Sequence, residues 1–266
     1  MPSHIPGIAT DVFTHEGFEL AFLDAAPGEG GAGGHPILLI HGFASSMQVN
    51  WIGPGWVGEL TRAGYRVVAF DHRGHGASTK SLDPDDYTPT KMAGDAAALL
   101  AHLEISRAHV MGYSMGARVA AFTAMQHPDQ VATLILGGLG QGMIDGVGDW
   151  DVIAEALVAE DPASVTDKRG KMFRAFADNT KSDRFALAAC IAKSRELVTV
   201  AEARSIVQPT LVAVGTKDDI AGSAVGLADL IPDAEAFDIE GRDHMLSVGE
   251  RTFKKKVLEF LARHPL

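Results

Sequence analysis

Six short apolar runs, each bounded by turn residues and followed by a helical pattern, constrain the fold of this chain more than any other feature. They read P-I-L-L-I at 36–40, Y-R-V-V-A-F at 65–70, A-H-V-M-G-Y at 108–113, A-T-L-I-L-G-G at 132–138, P-T-L-V-A-V-G at 209–215 and A-E-A-F-D-I at 234–239. Their apolarity is continuous, which is what strands buried on both faces require. A parallel sheet covered by helices is expected, an α/β architecture. A first strand is expected at about 18–24, joined to the run at 36 by the flexible turn G-E-G-G-A-G-G at 28–34.

The intervening segments carry helical periodicity. Residues 90–103 set Met92, Ala96, Leu99, Leu100 and Leu103 on one side, and residues 250–263 set Phe253, Val257, Phe260 and Leu261 opposite Lys254 and Lys255. The rhythm of strands stops between Leu139 and Val207, a stretch too long for an ordinary connection and helical in pattern. One core of residues 1–138 and 206–266 is expected, with a helical insertion at 139–205. Within it, residues 171–177 set Met172, Phe173 and Phe176 against Lys171 and Arg174, and 168–195 hold eight Lys/Arg against two Asp/Glu.

Composition excludes several classes of partner. A formal net charge of −11 repels phosphate backbones and anionic lipid, so neither nucleic acid nor a membrane is expected as a partner. The single cysteine, Cys190, cannot form an internal disulfide, and the opening M-P-S-H-I-P-G-I-A-T lacks a basic and an apolar leader region. With no run long enough to span a bilayer, the expectation is a soluble cytoplasmic protein.

The chemistry-bearing motif is G-Y-S-M-G at 112–116, directly after one apolar run and before a small-residue helix with Ala117, Ala120, Ala121 and Ala124. A strand that turns sharply into a helix strains the backbone at Ser114, and flanking glycines remove side chains that would clash. The Ser114 hydroxyl is then exposed at a helix N-terminus, where free N–H groups favour developing negative charge. A base must reach the same sheet edge, and His41, His72, His75 and His244 all follow strands.

Five motifs in order, H-G-F at 41, F-D-H-R-G-H-G-A-S at 70, G-Y-S-M-G at 112, G-T-K-D at 215 and G-R-D-H at 241, resemble the α/β-hydrolase fold family along nearly the whole chain. The resemblance implies a mostly parallel central sheet with helices on both faces and a helical cap, which the insertion would supply. It implies Ser114 as nucleophile, with the backbone N–H groups of Phe43 and Met115 as oxyanion hole. The family order, serine then acid then histidine, selects His244 as base. The family spacing puts the acid three residues after Gly215, at Asp218; its neighbour Asp219 would cap a helix near Ser223 or face solvent. Asp71, Arg73, Gly74, Gly76 and Ser78 resemble the family's structural loop, and Asp243 stands where the family often has a small residue.

The activity implied is ester hydrolysis through an acyl-enzyme, on a small-molecule substrate with an apolar acyl or alcohol group. Met172, Phe173, Phe176 and Leu187 of the insertion, with Met245 beside the histidine, are the candidate pocket residues. No cofactor or metal is expected, since no ligand cluster or dinucleotide fingerprint is present in the sequence. Carbon–carbon bond hydrolysis, thioester hydrolysis, perhydrolysis and a slow ligand-sensing role remain as alternatives on the same motifs. A hydroxyl nucleophile argues against the family's dehalogenases and epoxide hydrolases, which use an aspartate there.

Overall fold

A computed structural model describes residues 9–266. The leader question therefore concerns residues 1–8, which lie outside the described part. All six apolar runs are strands: β3 (Pro36–Ile40), β4 (Arg66–Phe70), β5 (Ala108–Tyr113), β6 (Val131–Gly137), β7 (Thr210–Gly215) and β8 (Ala234–Ile239). The strand expected at 18–24 is β2 (Phe18–Ala25), and it is not the first. β1 (Ala9–His15) precedes it, paired antiparallel across a tight turn at Glu16 and Gly17, both with positive φ. Its A-T-D-V-F-T-H is mostly polar, with Val12 and Phe13 the only large apolar residues, so it lacks the continuous apolarity that marks the central strands.

The eight strands form one sheet in the order β1-β2-β4-β3-β5-β6-β7-β8. β2 pairs antiparallel with β1 and β4, and every other pairing is parallel. Alternate residues of the central strands feed separate cores. Leu38, Ile40, Val68 and Phe70 pack with α2 (Pro89–His102) and α3 (Met115–Gln126) on one face. Ile37, Leu39, Val67 and Ala69 pack with α1 (Trp56–Arg62) on the other, beside the C-terminal helix at Arg251–Arg263. Trp51 and Trp56 are fully buried there, as packing residues.

Between β6 and β7 the chain is helical: α4 (Gly142–Asp145), α5 (Asp151–Val158), α6 (Lys168–Thr180), α7 (Arg184–Lys193) and α8 (Val200–Ser205). Ile153, Leu157, Phe173, Leu187 and Cys190 belong to the same apolar cluster as α2 and α3. The segment is thus seated on the strand ends. The remaining helices are α9 (Ala224–Ala228), α10 (His244–Ser247) and α11 (Arg251–Arg263). Among the described residues no helix is long and apolar enough to cross a membrane.

Candidate active site

Two glycines let β5 turn into α3 within one residue. A Cβ on Gly112 would lie 2.0 Å from the Gly116 carbonyl oxygen, and one on Gly116 would lie 2.0 Å from the Ile40 carbonyl oxygen at the end of β3. Only glycine fits at either place. Ser114 sits between them at φ 56°, ψ −118°, a conformation disfavoured for any side chain and imposed by the turn. Its backbone N–H donates to Gly137 (2.8 Å), which ties the turn to β6.

The chain brings Ser114, His244 and Asp218 together from three separate strand ends. His244 Nε2 lies 2.9 Å from Ser114 Oγ, and His244 Nδ1 lies 2.8 Å from Asp218 Oδ2. The Asp218 side chain is fully buried, and its other oxygen accepts the N–H groups of Ile220 (2.9 Å) and Ala221 (3.0 Å). One oxygen therefore fixes the turn while the other faces the imidazole. Asp219 is exposed, and the helix near Ser223 is capped by Ser223 itself.

Asp243 does not compete for the imidazole. Its Oδ1 accepts from the N–H groups of Met245 (3.1 Å) and Leu246 (2.9 Å), capping the short helix that begins at His244. A carboxylate at this position thus orders the loop that carries the histidine. Tyr113 grips the same loop, donating its hydroxyl to the His244 carbonyl.

The loop after β3 lies against the serine. A Cβ on Gly42 would stand 3.3 Å from that of Ser114, and Asn50 Oδ1 accepts the Gly42 N–H at 2.8 Å. Among the described residues neither the Phe43 nor the Met115 N–H meets a protein acceptor. Beneath the loop are three buried histidines, His41, His72 and His75, with ring centroids 4.7 to 6.1 Å apart. Burial pushes His41 down to about 4, His75 to about 3, and His72 well below the usual imidazole range. They are neutral packing groups, so of the four strand-following histidines only His244 meets Ser114.

Asp71 accepts from the N–H groups of Met47 (2.8 Å) and Ala77 (2.8 Å), and the Arg73 guanidinium makes a two-pronged ion pair with buried Asp95 (2.6 and 2.7 Å). Tyr87 fills the space that a side chain on Gly74 would need. These contacts hold the loops around the site without touching Ser114.

Two cavities meet at Ser114, and Phe43 lines both. One of about 300 Å³ is bounded by Tyr113, Phe173, Phe176, His244 and Met245, and one of about 610 Å³ by Met115, Arg118, Leu139, Trp150 and Ile191. Met172 is not in either wall. It is 37% exposed, because α6 turns Phe173, Phe176 and Ala177 inward and leaves Met172 on its outer side. Leu187 is fully buried in the core and lines neither cavity. Arg174, expected on the polar face, is buried and donates to the carbonyls of Ala156 (3.1 Å) and Ala159 (2.7 Å) at the end of α5. Arg184 reaches the Leu157 carbonyl (2.9 Å), so part of the basic stretch closes a helix C-terminus. Asn50, Tyr113 and Arg118 were not predicted. Arg118 alone had a signal, a cation four residues after Ser114 in an otherwise small and apolar helix.

Comparison with known proteins gives a consistent family. A sequence profile of the alpha/beta hydrolase fold matches residues 35–167. A RutD protein of Variovorax paradoxus, whose carbamate hydrolase assignment is itself provisional, is 28% identical over 259 residues, covering 88% of this chain and 94% of that protein. The dihydrolipoyllysine-residue acetyltransferase component of the acetoin cleaving system of Pseudomonas putida is 38% identical over 117 residues, 43% of this chain but only 30% of that protein's length. The crystal structure of the esterase RhEst1 from Rhodococcus sp. ECU1013 superposes with a TM-score of 0.76 at 26% identity, covering 97% of this chain and 99% of that one.

Proposed function

This chain belongs to the alpha/beta hydrolase fold family, and we propose that it is a serine hydrolase that cleaves carboxylic esters through an acyl-enzyme. The observation that carries the reading is the hydrogen-bonded chain Ser114–His244–Asp218 opening on two cavities. Ser114 Oγ attacks the ester carbonyl carbon while His244 Nε2 takes its proton. Asp218 holds the Nδ1–H of the imidazole and stabilises the imidazolium that forms. The tetrahedral oxyanion is held by the N–H groups of Phe43 and Met115, whose freedom from protein acceptors supports that role.

Collapse of this intermediate expels the alcohol, which takes the proton from His244. Water then attacks the acyl-enzyme with His244 as base, releasing the acid and restoring Ser114. Two cavities on either side of Phe43 suit the two halves of an ester, and the helical segment 139–205 acts as the cap that walls them. The similarity to an esterase structure over nearly the full chain supports this substrate class.

A second reading is favoured by the full-length similarity to RutD: a carbamate carbonyl attacked by the same serine. A panel of p-nitrophenyl esters, acyl thioesters and carbamates tests both. Turnover of short esters that disappears in Ser114→Ala supports the first, carbamate turnover with inert esters supports the second, and equal rates in wild type and Ser114→Ala contradict both.

A further inference from the structure

The larger cavity carries a cation that the proposed chemistry does not use. Arg118 stands one helical turn beyond Ser114, its backbone N–H on the Ser114 carbonyl (3.3 Å), and it lines the cavity together with the serine. The residue is only 4% exposed. Nη1 donates to the carbonyls of Met143 (3.2 Å) and Glu196 (2.6 Å), but among the described residues Nε and Nη2 meet no acceptor. The other cations of this wall are occupied, Lys193 by Asp85 (3.2 Å) and Arg195 by Asp151 (2.8 Å).

Burial pushes Arg118 down to about 10, opposed only by the charge of Glu196, so it stays cationic at neutral pH. Glu196 acts on it only at a distance, with no ion pair to Arg118 among the described residues; a buried guanidinium so placed is costly, and two free donors on one edge match the geometry of a carboxylate. The Trp150 indole N–H on the same wall is also buried without an acceptor. Leu139, Val147, Ile191 and Ile220 make an apolar stretch of the same lining, whose other polar members are Thr88, Ser194 and Glu196.

Resting on the serine hydrolase reading, we propose that the substrate is an acidic ester, whose free carboxylate is held by Nε and Nη2 of Arg118 at one end of an apolar spacer while its ester carbonyl meets Ser114. A half-ester of a dicarboxylic acid has this form. The carboxylate takes no part in bond breaking. It sets which acyl chains enter the cavity and in which direction they lie.

Two measurements test this. The first is calorimetric titration of Ser114→Ala with adipate, which needs no turnover: saturable binding is expected, weakened at least tenfold when Arg118→Gln is added. The second is the ratio of kcat/KM for p-nitrophenyl hydrogen adipate to that for p-nitrophenyl hexanoate. Arg118→Gln is expected to lower this ratio by roughly 30-fold, the size of a lost charge-assisted hydrogen-bond pair, mainly through KM. A ratio cancels any general loss of activity. Where Arg118→Gln does not fold, Arg118→Lys carries the test, with a drop of about fivefold because a point charge replaces a two-pronged donor. Adipate binding that ignores Arg118, or an unchanged ratio, overturns the proposal. Arg118-dependent adipate binding with every ester inert would leave the carboxylate site standing and sink the esterase reading instead.

Discussion

The Tyr113 hydroxyl donates to the backbone carbonyl of His244, so the residue before Ser114 also grips the loop that brings the imidazole to it. The spacing between serine and histidine is therefore fixed from both ends: by the glycine-flanked turn on one side, and by this bond and the Asp243 cap on the other. Tyr113→Phe leaves a buried carbonyl without a partner, at a cost of about 1–2 kcal/mol. Chemical denaturation is expected to read that loss, and ester turnover to fall about tenfold through kcat, because the imidazole loop loosens. Unchanged kcat would mean that the Asp243 cap suffices.

The adjacent aspartates divide their work. Asp218 is buried against His244, whereas Asp219 is exposed and contributes only its backbone carbonyl, to Arg169. Asp218→Asn is expected to lower kcat by roughly 10³- to 10⁴-fold, by removing the carboxylate that sets the tautomer of His244. Asp219→Asn should stay within about twofold of wild type. Steady-state kinetics of the two variants on one ester decides the matter, and similar losses in both would contradict the assignment.

Stability should fall on mild acidification. His41 and His75 are held neutral to about 4 and about 3, whereas an unfolded imidazole takes up its proton near 6.5. Between those values the unfolded chain binds more protons, so the stability each histidine contributes above pH 6.5 is lost as pH falls, by about 1.4 kcal/mol per pH unit. The charged groups facing the cluster are Asp71, 4.0 Å from His41 Nε2, Lys80 and Arg73. Burial raises the Asp71 carboxyl, whose contribution to the pH dependence has the opposite sign. Melting temperature against pH is expected to drop steeply from about pH 6.5 downward, and less steeply in His75→Gln. A flat profile between pH 7 and 5 would show that the cluster opens to water.

Much of this architecture was legible because buried parallel strands leave continuous apolar runs. β3 and β5, which bound the site, were read to the residue. β1 was not, since a mostly polar edge strand has neither the continuous apolarity of a buried strand nor the strict alternation of a half-buried one. Ser114 was marked by its glycines, because backbone crowding at Gly112 and Gly116 excludes every side chain. The roles of Asp243 and Tyr113 were illegible, since each depends on a hydrogen bond that sequence spacing does not encode. Met172 was misplaced for a related reason: helical periodicity fixes neighbours within α6, but packing against α5 fixes which side faces inward. The same packing buried Arg174, whose charge had pointed to solvent.

The central claim is that His244 activates Ser114, and a fluorophosphonate probe with peptide mapping tests it most directly. The expected result is a single adduct on Ser114 in wild type, formed at least about 100-fold more slowly in His244→Ala, because the hydroxyl alone is a weak nucleophile. An unlabelled Ser114, or equal labelling rates in the two proteins, would contradict the account.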